Sequence, residues 1–291
     1  MPSKYFLAVA GLTLRLEADC VLSAGDAFRP FLAVEATEPD IRITFHRVEN
    51  LPLFWEQVLY ESSGYRIHPD GHGGYLRSFF NPTKDMAPYA VAIYDYSGGS
   101  IRVEYLDKGK QAFSQMQNSF FHVGIESVML YRGRMCFHAA CVRTERGGIL
   151  FSGPSGIGKS TQAALWCKYR DAEQINGDRP ILSKREGQWL AWGSPYAGSS
   201  RCYVNDSSPI RAIVMLCQAE SCSLRRLSIK EAFRAVWSGL TVPAWDPKAT
   251  EAACDLALDL SAAVPVYEFG CTPDAAAVEF LEQGLGKDGA L

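Results

Sequence analysis

Apolar and polar residues alternate over much of the first hundred positions, and that alternation predicts strands. Residues 11–17 and 40–46 each carry an apolar side chain at every second place, the two-residue period of a half-buried strand. Residues 89–94 and 101–106 are further strand-like runs. Asp70-Gly71 and Ser97-Gly98-Gly99 fall between such runs and are expected to be hairpin turns. The period changes at Phe113. Apolar residues then recur at Met116, Phe120, Val123, Val128 and Tyr131, which predicts one amphipathic helix of about five turns, ended by Gly133. The polar stretch Asp107-Lys108-Gly109-Lys110 precedes the change. The expected division is therefore a β-rich region over 1–110 and a second region over 111–291.

Residues 135–142 alternate again, and Glu145-Arg146-Gly147-Gly148 turns the chain into a buried strand at 148–151. A helix is expected at 161–169, after an eight-residue loop. Downstream come Asn176-Gly177-Asp178-Arg179-Pro180, two short strands around Arg185-Glu186-Gly187, and a loop at 193–198. Residues 210–216 read as a buried strand. Ser228 and Glu231 fit a capping box opening a helix through about Trp237. A strand at 264–269 and a final helix with Pro273 at its first position complete an α/β pattern.

The loop between strand and helix is Gly153-Pro154-Ser155-Gly156-Ile157-Gly158-Lys159-Ser160, a full match to the phosphate-binding pattern G-x-x-x-x-G-K-[ST]. Its glycines let backbone N–H groups curl around phosphate oxygens, and the helix start adds partial positive charge. Lys159 would reach the β- and γ-phosphates and the Ser160 hydroxyl would ligate Mg²⁺. The nucleotide-binding set thus runs Gly153, Pro154, Ser155, Gly156, Ile157, Gly158, Lys159, Ser160 and Thr161, with ATP and Mg²⁺ as the expected ligands. A hairpin leading straight into this loop differs from the parallel entry of Ras-like or Rossmann-like folds.

Two further residues are candidates. Asp178 lies where the chain should return from the helix; it is either a carboxylate for metal or proton transfer, or a turn residue among turn formers. His138, expected on the strand antiparallel to the P-loop strand, is either a site residue or a satisfied core histidine. His46, His68, His72 and His122 lack a spacing that assembles a metal site.

Composition narrows the partners. Of the 291 residues 47% are hydrophobic and 21% charged, with a net charge of −3, which suits a soluble globular protein and gives no electrostatic reason to expect nucleic acid or an anionic membrane. No apolar run approaches a membrane span, and the opening residues lack a signal-peptide layout. Nine cysteines occur without a C-x-x-C spacing, several in apolar stretches, as expected of buried thiols in a reducing, cytoplasmic compartment.

The run Phe137-His138-Ala139-Ala140-Cys141, the glycine loop, Asn176-Gly177-Asp178-Arg179 and Gly193-Ser194-Pro195-Tyr196-Ala197-Gly198 resemble, in order and spacing, HPr kinase/phosphorylase and its relatives. The nearer likeness is to small HPr-kinase-like proteins associated with peptide natural-product clusters, some of which phosphorylate serine on a peptide. The resemblance is strong over 135–198, weaker through 211–227 to the last helix, and absent from the first hundred residues. It implies a phosphoenolpyruvate carboxykinase-like P-loop core, though the chain is too short for a full carboxykinase. It implies that Asp178 matches the second residue of the family's Asp-Asp pair, as metal ligand and base, and that His138 lies near the transferred phosphate. The first Asp of that pair is Gly177 here. The resemblance also places the loop at 193–201 on the acceptor side, where Tyr196 would offer a face to an apolar neighbour and Arg201 would pair with phosphate or a peptide carboxylate. The expected activity is ATP-dependent phosphorylation of a serine in a peptide or protein. A small-metabolite kinase, acting for example on free serine, and a nucleotide-gated binding or scaffold protein without transfer, stay open. Homo-oligomer formation is open too.

Overall fold

In the computed structural model, which describes residues 2–35, 38–52, 57–81, 83–95 and 99–291, the alternating runs of the N-terminal third form one sheet. Contacts divide the chain into two units, Met1–Val128 with Ala244–Pro247, and Met129–Pro243 with Lys248–Leu291. Among the described residues the first unit holds eight strands, ordered Ser3–Val9, Leu12–Ala18, Ile41–Arg47, Ser100–Tyr105, Asp85–Asp95, Tyr75–Asn81, Tyr65–Pro69 and Tyr60–Ser62. Leu12–Ala18 buries Leu12, Leu14, Leu16 and Ala18 on one face, as its alternation requires. The Ile41–Arg47 strand pairs parallel to both its neighbours, while the remaining pairs are antiparallel. Asp70 shapes its hairpin by accepting the N–H groups of His72 and Gly74, both at 2.7 Å. Ser97 and Gly98, the other expected turn, lie outside the described residues.

The single helix expected over 113–131 is divided. A 3-10 turn, Asp107–Phe113, contains the polar stretch expected to be a boundary and belongs to the first unit. Helices Met116–Val123 and Ile125–Tyr131 follow, separated by Gly124 at φ +59°. Only glycine adopts that conformation without strain, and space demands it too. A Cβ there would overlap Arg77 Nη1 and lie 2.9 Å from the Tyr94 hydroxyl. Arg77 is buried, 3.8 Å from the centre of the Tyr65 ring and 3.5 Å from the Glu126 carboxylate, so it has little room to withdraw.

The second unit is built on a mixed sheet. Its main path runs Glu173–Asn176, Ala139–Thr144, Gly147–Ser152, Ser207–Gln218, Gln188–Trp192, Ile181–Arg185 and Arg134–Cys136. Val266–Cys271 also pairs with Ser207–Gln218, and Ser223–Arg226 pairs with Val266–Cys271. Ala139–Thr144 and Gly147–Ser152 form the expected antiparallel hairpin, while Gly147–Ser152, Ser207–Gln218 and Val266–Cys271 run parallel. Successive side chains point to opposite faces. Ile149 and Phe151 join a core with Ala163, Trp166, Ala277, Val278 and Leu281, which belong to helices Lys159–Arg170 and Ala275–Lys287. Leu150 joins the opposite core with Val236, Ala253, Ala257 and Leu260, from helices Ile229–Gly239 and Pro247–Ala263. The unit is therefore a layered α/β structure with helices on both faces. Ser228 makes the expected capping box with Glu231. Pro273 is not the first helical residue: Asp274 is the cap, its carboxylate accepting the Ala277 N–H at 3.1 Å. Among the described residues no helix is long and apolar enough to cross a membrane.

Replacing Gly124 by Ala is expected to cost about 1–3 kcal/mol, from positive-φ strain and overpacking against Arg77. A urea titration reads this as a lowered midpoint; an unchanged midpoint would mean that Arg77 and the helix break are not coupled.

Candidate functional site

The site begins at a strand end. Gly147–Ser152 stops at Gly153, and the chain turns through positive φ at Gly153, Gly156 and Gly158 (+139°, +79° and +112°) before helix Lys159–Arg170. Side chains at these positions would strain the backbone, and at Gly153 a Cβ would also press to 3.2 Å from the Leu216 carbonyl oxygen. No side chain caps the helix, so its first N–H groups are left for an outside acceptor. Ser160 and Thr161 are exposed in this first turn. Lys159 is only 8% exposed, and its Nζ donates to the carbonyl oxygens of Gly153 and Pro154, each at 3.0 Å. Burial pushes the ammonium pKa down, against the opposing pull of the Asp178 carboxylate. An ammonium has three N–H groups, so these two bonds leave one donor for a phosphate oxygen.

His138 and Asp178 approach from neighbouring segments. The strand expected over 135–142 is broken at His138: Arg134–Cys136 pairs with Ile181–Arg185, and Ala139–Thr144 pairs with Gly147–Ser152. At the crossover the His138 N–H donates to the Gly239 carbonyl (2.8 Å), and its own carbonyl accepts the Ser152 hydroxyl (2.8 Å). His138 therefore stands at the end of the hairpin that leads into the glycine loop, rather than within a strand. Its Nε2 lies 3.4 Å from Asp178 Oδ1. Burial lowers the imidazole pKa, Lys159 and Arg179 lower it further, and Asp178 opposes them. The ring is thereby held toward its neutral form.

Asp178 is placed by a buried asparagine. Edge strand Glu173–Asn176 ends at Asn176, whose Oδ1 accepts the N–H groups of Asp178 (2.9 Å) and Arg179 (2.8 Å). Its Nδ2 donates to the carbonyl and hydroxyl oxygens of Ser194 (3.2 and 3.3 Å). The Ser194 hydroxyl donates to the Arg179 carbonyl at 2.6 Å and accepts the Tyr196 N–H at 3.2 Å. Both side chains are fully buried. Each such polar group would cost roughly 1–3 kcal/mol if left unpaired, so the network fixes the turn and the following loop together.

That loop packs directly on the carboxylate. A Cβ on Gly198, which has φ +55°, would come within 2.9 Å of Asp178 Cβ and 3.1 Å of its Cγ. A Cβ on Gly177 would overlap both the Cβ and Oγ of Ser200. Ser200 is itself held, donating to the Ala197 carbonyl at 2.6 Å and accepting the Cys202 N–H at 3.2 Å. Position 177 thus has no room for a second carboxylate while Ser200 stays in place.

The structure brings Lys159, His138 and Asp178 into one cluster, and adds Arg179, which sequence reasoning did not place in the site. Arg179 Nε lies 3.6 Å from Asp178 Oδ2. Asn176 and Ser194 were likewise missed as positioning groups, although an Asn two residues before an Asp is a turn-forming signal. Tyr196 is tied in through its backbone, its carbonyl accepting the Arg179 N–H at 3.2 Å. Arg201 sits at the loop's end with φ +51°; its side chain is exposed and makes no hydrogen bond or ion pair among the described residues.

Gly177→Asp, which puts a second acid beside Asp178, is expected to lower the thermal midpoint by roughly 2–8 °C, the effect of an overpacking cost of about 1–3 kcal/mol. Adding Ser200→Gly should recover at least half of the loss. A single variant as stable as the parent would show that the loop gives way freely.

No protein-family model matches the chain, and no curated protein matches it. Among solved structures it is similar to the Hpr(Ser) kinase/phosphatase from Coxiella burnetii, at 14% identity and a TM-score of 0.33, over 51% of this chain and 94% of that one.

Proposed function

We propose that the chain is an ATP-dependent kinase that transfers the γ-phosphoryl group to a serine hydroxyl of a peptide or protein. The observation that carries this reading is the gathering of Lys159, His138, Asp178 and Arg179 at the head of the strand–glycine-loop–helix turn. Phosphoryl transfer needs little covalent chemistry from a protein; it needs a phosphate cradle, positive charge and a group to take the acceptor's proton. The loop amides and Lys159 supply the first two. Asp178 is the base: as the serine oxygen bonds to the γ-phosphorus, the bond to the β,γ-bridging oxygen breaks, ADP leaves, and the serine proton passes to the carboxylate. The His138 ring, with Nε2 3.4 Å from Oδ1, helps to orient that carboxylate.

Mg²⁺ fits the donors available, a carboxylate at Asp178 and a hydroxyl at Ser160, and when bound would neutralise charge on the β- and γ-phosphate oxygens. Among the described residues no group of three or more His, Cys, Asp or Glu side chains is arranged to hold a metal. Mg²⁺ does not require one, because it is commonly held by one or two protein oxygens together with substrate phosphates and water. The loop at 193–201 supports a peptide acceptor over a free amino acid, since it walls Asp178 at Gly198 and ends in the unpaired Arg201.

The test supplies γ-labelled ATP and Mg²⁺ with a serine-bearing peptide or with free serine. Label is expected on the peptide. Asp178→Asn should hold ATP within about tenfold of the parent affinity, roughly 1.4 kcal/mol, yet lose at least 99% of turnover, on the order of a general base's contribution. Label on free serine alone would make the chain a metabolite kinase. ATP binding with no transfer to either would make it a nucleotide-gated scaffold.

A further inference from the structure

The Arg179 side chain is better fixed than a surface arginine needs to be. Its N–H is held by Asn176 Oδ1 and the Tyr196 carbonyl, and its own carbonyl by Ser194. The guanidinium Nη1 donates to Thr241 Oγ1 at 2.7 Å, across 62 residues of sequence. Thr241 is anchored in turn, its N–H donating to the Cys136 carbonyl at 3.1 Å. Nε faces Asp178 at 3.6 Å, beyond hydrogen-bonding distance. The side chain keeps 42% of its surface exposed, and among the described residues its Nη2 has no partner. A guanidinium is a rigid planar fork of five donors. Two edges of this one are aimed, at Thr241 and at Asp178, and the third opens to solvent beside the base.

The charges around Asp178 point the same way. With glycine at 177, a single carboxylate faces two basic side chains, the Arg179 guanidinium at 3.6 Å and the Lys159 ammonium. Such a cluster carries a surplus positive charge. A simple ion pair would neutralise itself; a surplus suits an anion that arrives with the substrates. Resting on the kinase reading above, we propose that Arg179 is a catalytic residue whose Nη2 binds a non-bridging oxygen of the phosphoryl group as it passes to the acceptor, with Thr241 as the positioning residue that holds the guanidinium in place. Lys159 then serves the nucleotide side of the transferred group and Arg179 the acceptor side. In the transition state negative charge spreads over the three equatorial oxygens, where a preorganised arginine is most effective.

Aluminium fluoride with ADP and Mg²⁺ stands in for the transferring phosphoryl group and separates this role from nucleotide binding. The parent protein should bind ADP·Mg²⁺ more tightly when aluminium fluoride is present. In Arg179→Gln the affinity for ADP·Mg²⁺ alone should stay within threefold, while the tightening falls at least tenfold. Arg179→Lys, which keeps the charge but not the fork, and Thr241→Val, which frees Nη1, should fall between. In the transfer assay Arg179→Gln should lose roughly a hundredfold or more in kcat, in line with arginines that act on phosphoryl transfer. Tightening in Arg179→Gln equal to that of the parent overturns the proposal while leaving the kinase reading intact. A parent protein that binds no ADP·Mg²⁺ at all overturns both.

Discussion

The site depends on one buried side chain. Asn176 uses its carboxamide oxygen to hold two consecutive backbone N–H groups and its amide to hold Ser194. Through those bonds the end of an edge strand fixes the direction of Asp178, the path of Arg179 and the start of the loop at 193–201. Aspartate at 176 would keep the two acceptor bonds but lose the donor to Ser194, and alanine would take from the Asp178 N–H and the Ser194 carbonyl the side-chain partners they have here. The groups proposed to react extend from a set of hydrogen bonds that is already complete, so they would need little reorganisation on binding a ligand.

The second constraint is electrostatic. Burying an ammonium without partners would cost several kcal/mol, so Lys159 is secured by two loop carbonyls and by the nearby Asp178 charge. His138 experiences the opposite arrangement: it lies beside the same carboxylate, yet burial and two neighbouring cations push its pKa down. A single acid thereby favours the charged form of the lysine, while a histidine with a lowered pKa lies within 3.4 Å of it. Ser200 helps to keep the acid single, because its side chain fills the space a residue larger than glycine would take at 177.

Local patterns were legible where local forces decide them. The turn at 153–158 follows from its glycines, the hairpin before it from alternation, and the helix at 229–239 from the Ser228 and Glu231 capping box. The break at His138 was not legible, because both halves of that segment alternate and only their different partner strands separate them. The break at Gly124 had its signal in the glycine itself, but the reason for it, Arg77, lies 47 residues earlier on a strand of the sheet. Helix Pro247–Ala263 escaped notice because its buried face is Ala249, Ala253 and Ala257, which carry a weak hydrophobic signal at the right spacing. Asp178 and His138 were visible as candidates, whereas Arg179 sat in plain sight beside Asp178 with its anchor, Thr241, far along the chain. The fit of Gly177 to Ser200 is likewise a long-range contact, and such complementarity leaves no local trace.

The central claim is that the loop from Gly153 to Ser160 holds a nucleoside triphosphate with the Lys159 ammonium facing its phosphates. Calorimetric titration of ATP·Mg²⁺ into the parent protein and into Lys159→Ala tests it most directly, with circular dichroism to show that the variant keeps its fold. The account predicts saturable binding by the parent and a loss of at least tenfold in the variant, about 1.4 kcal/mol. Equal affinity in the two proteins, or no binding by a folded parent, would contradict it.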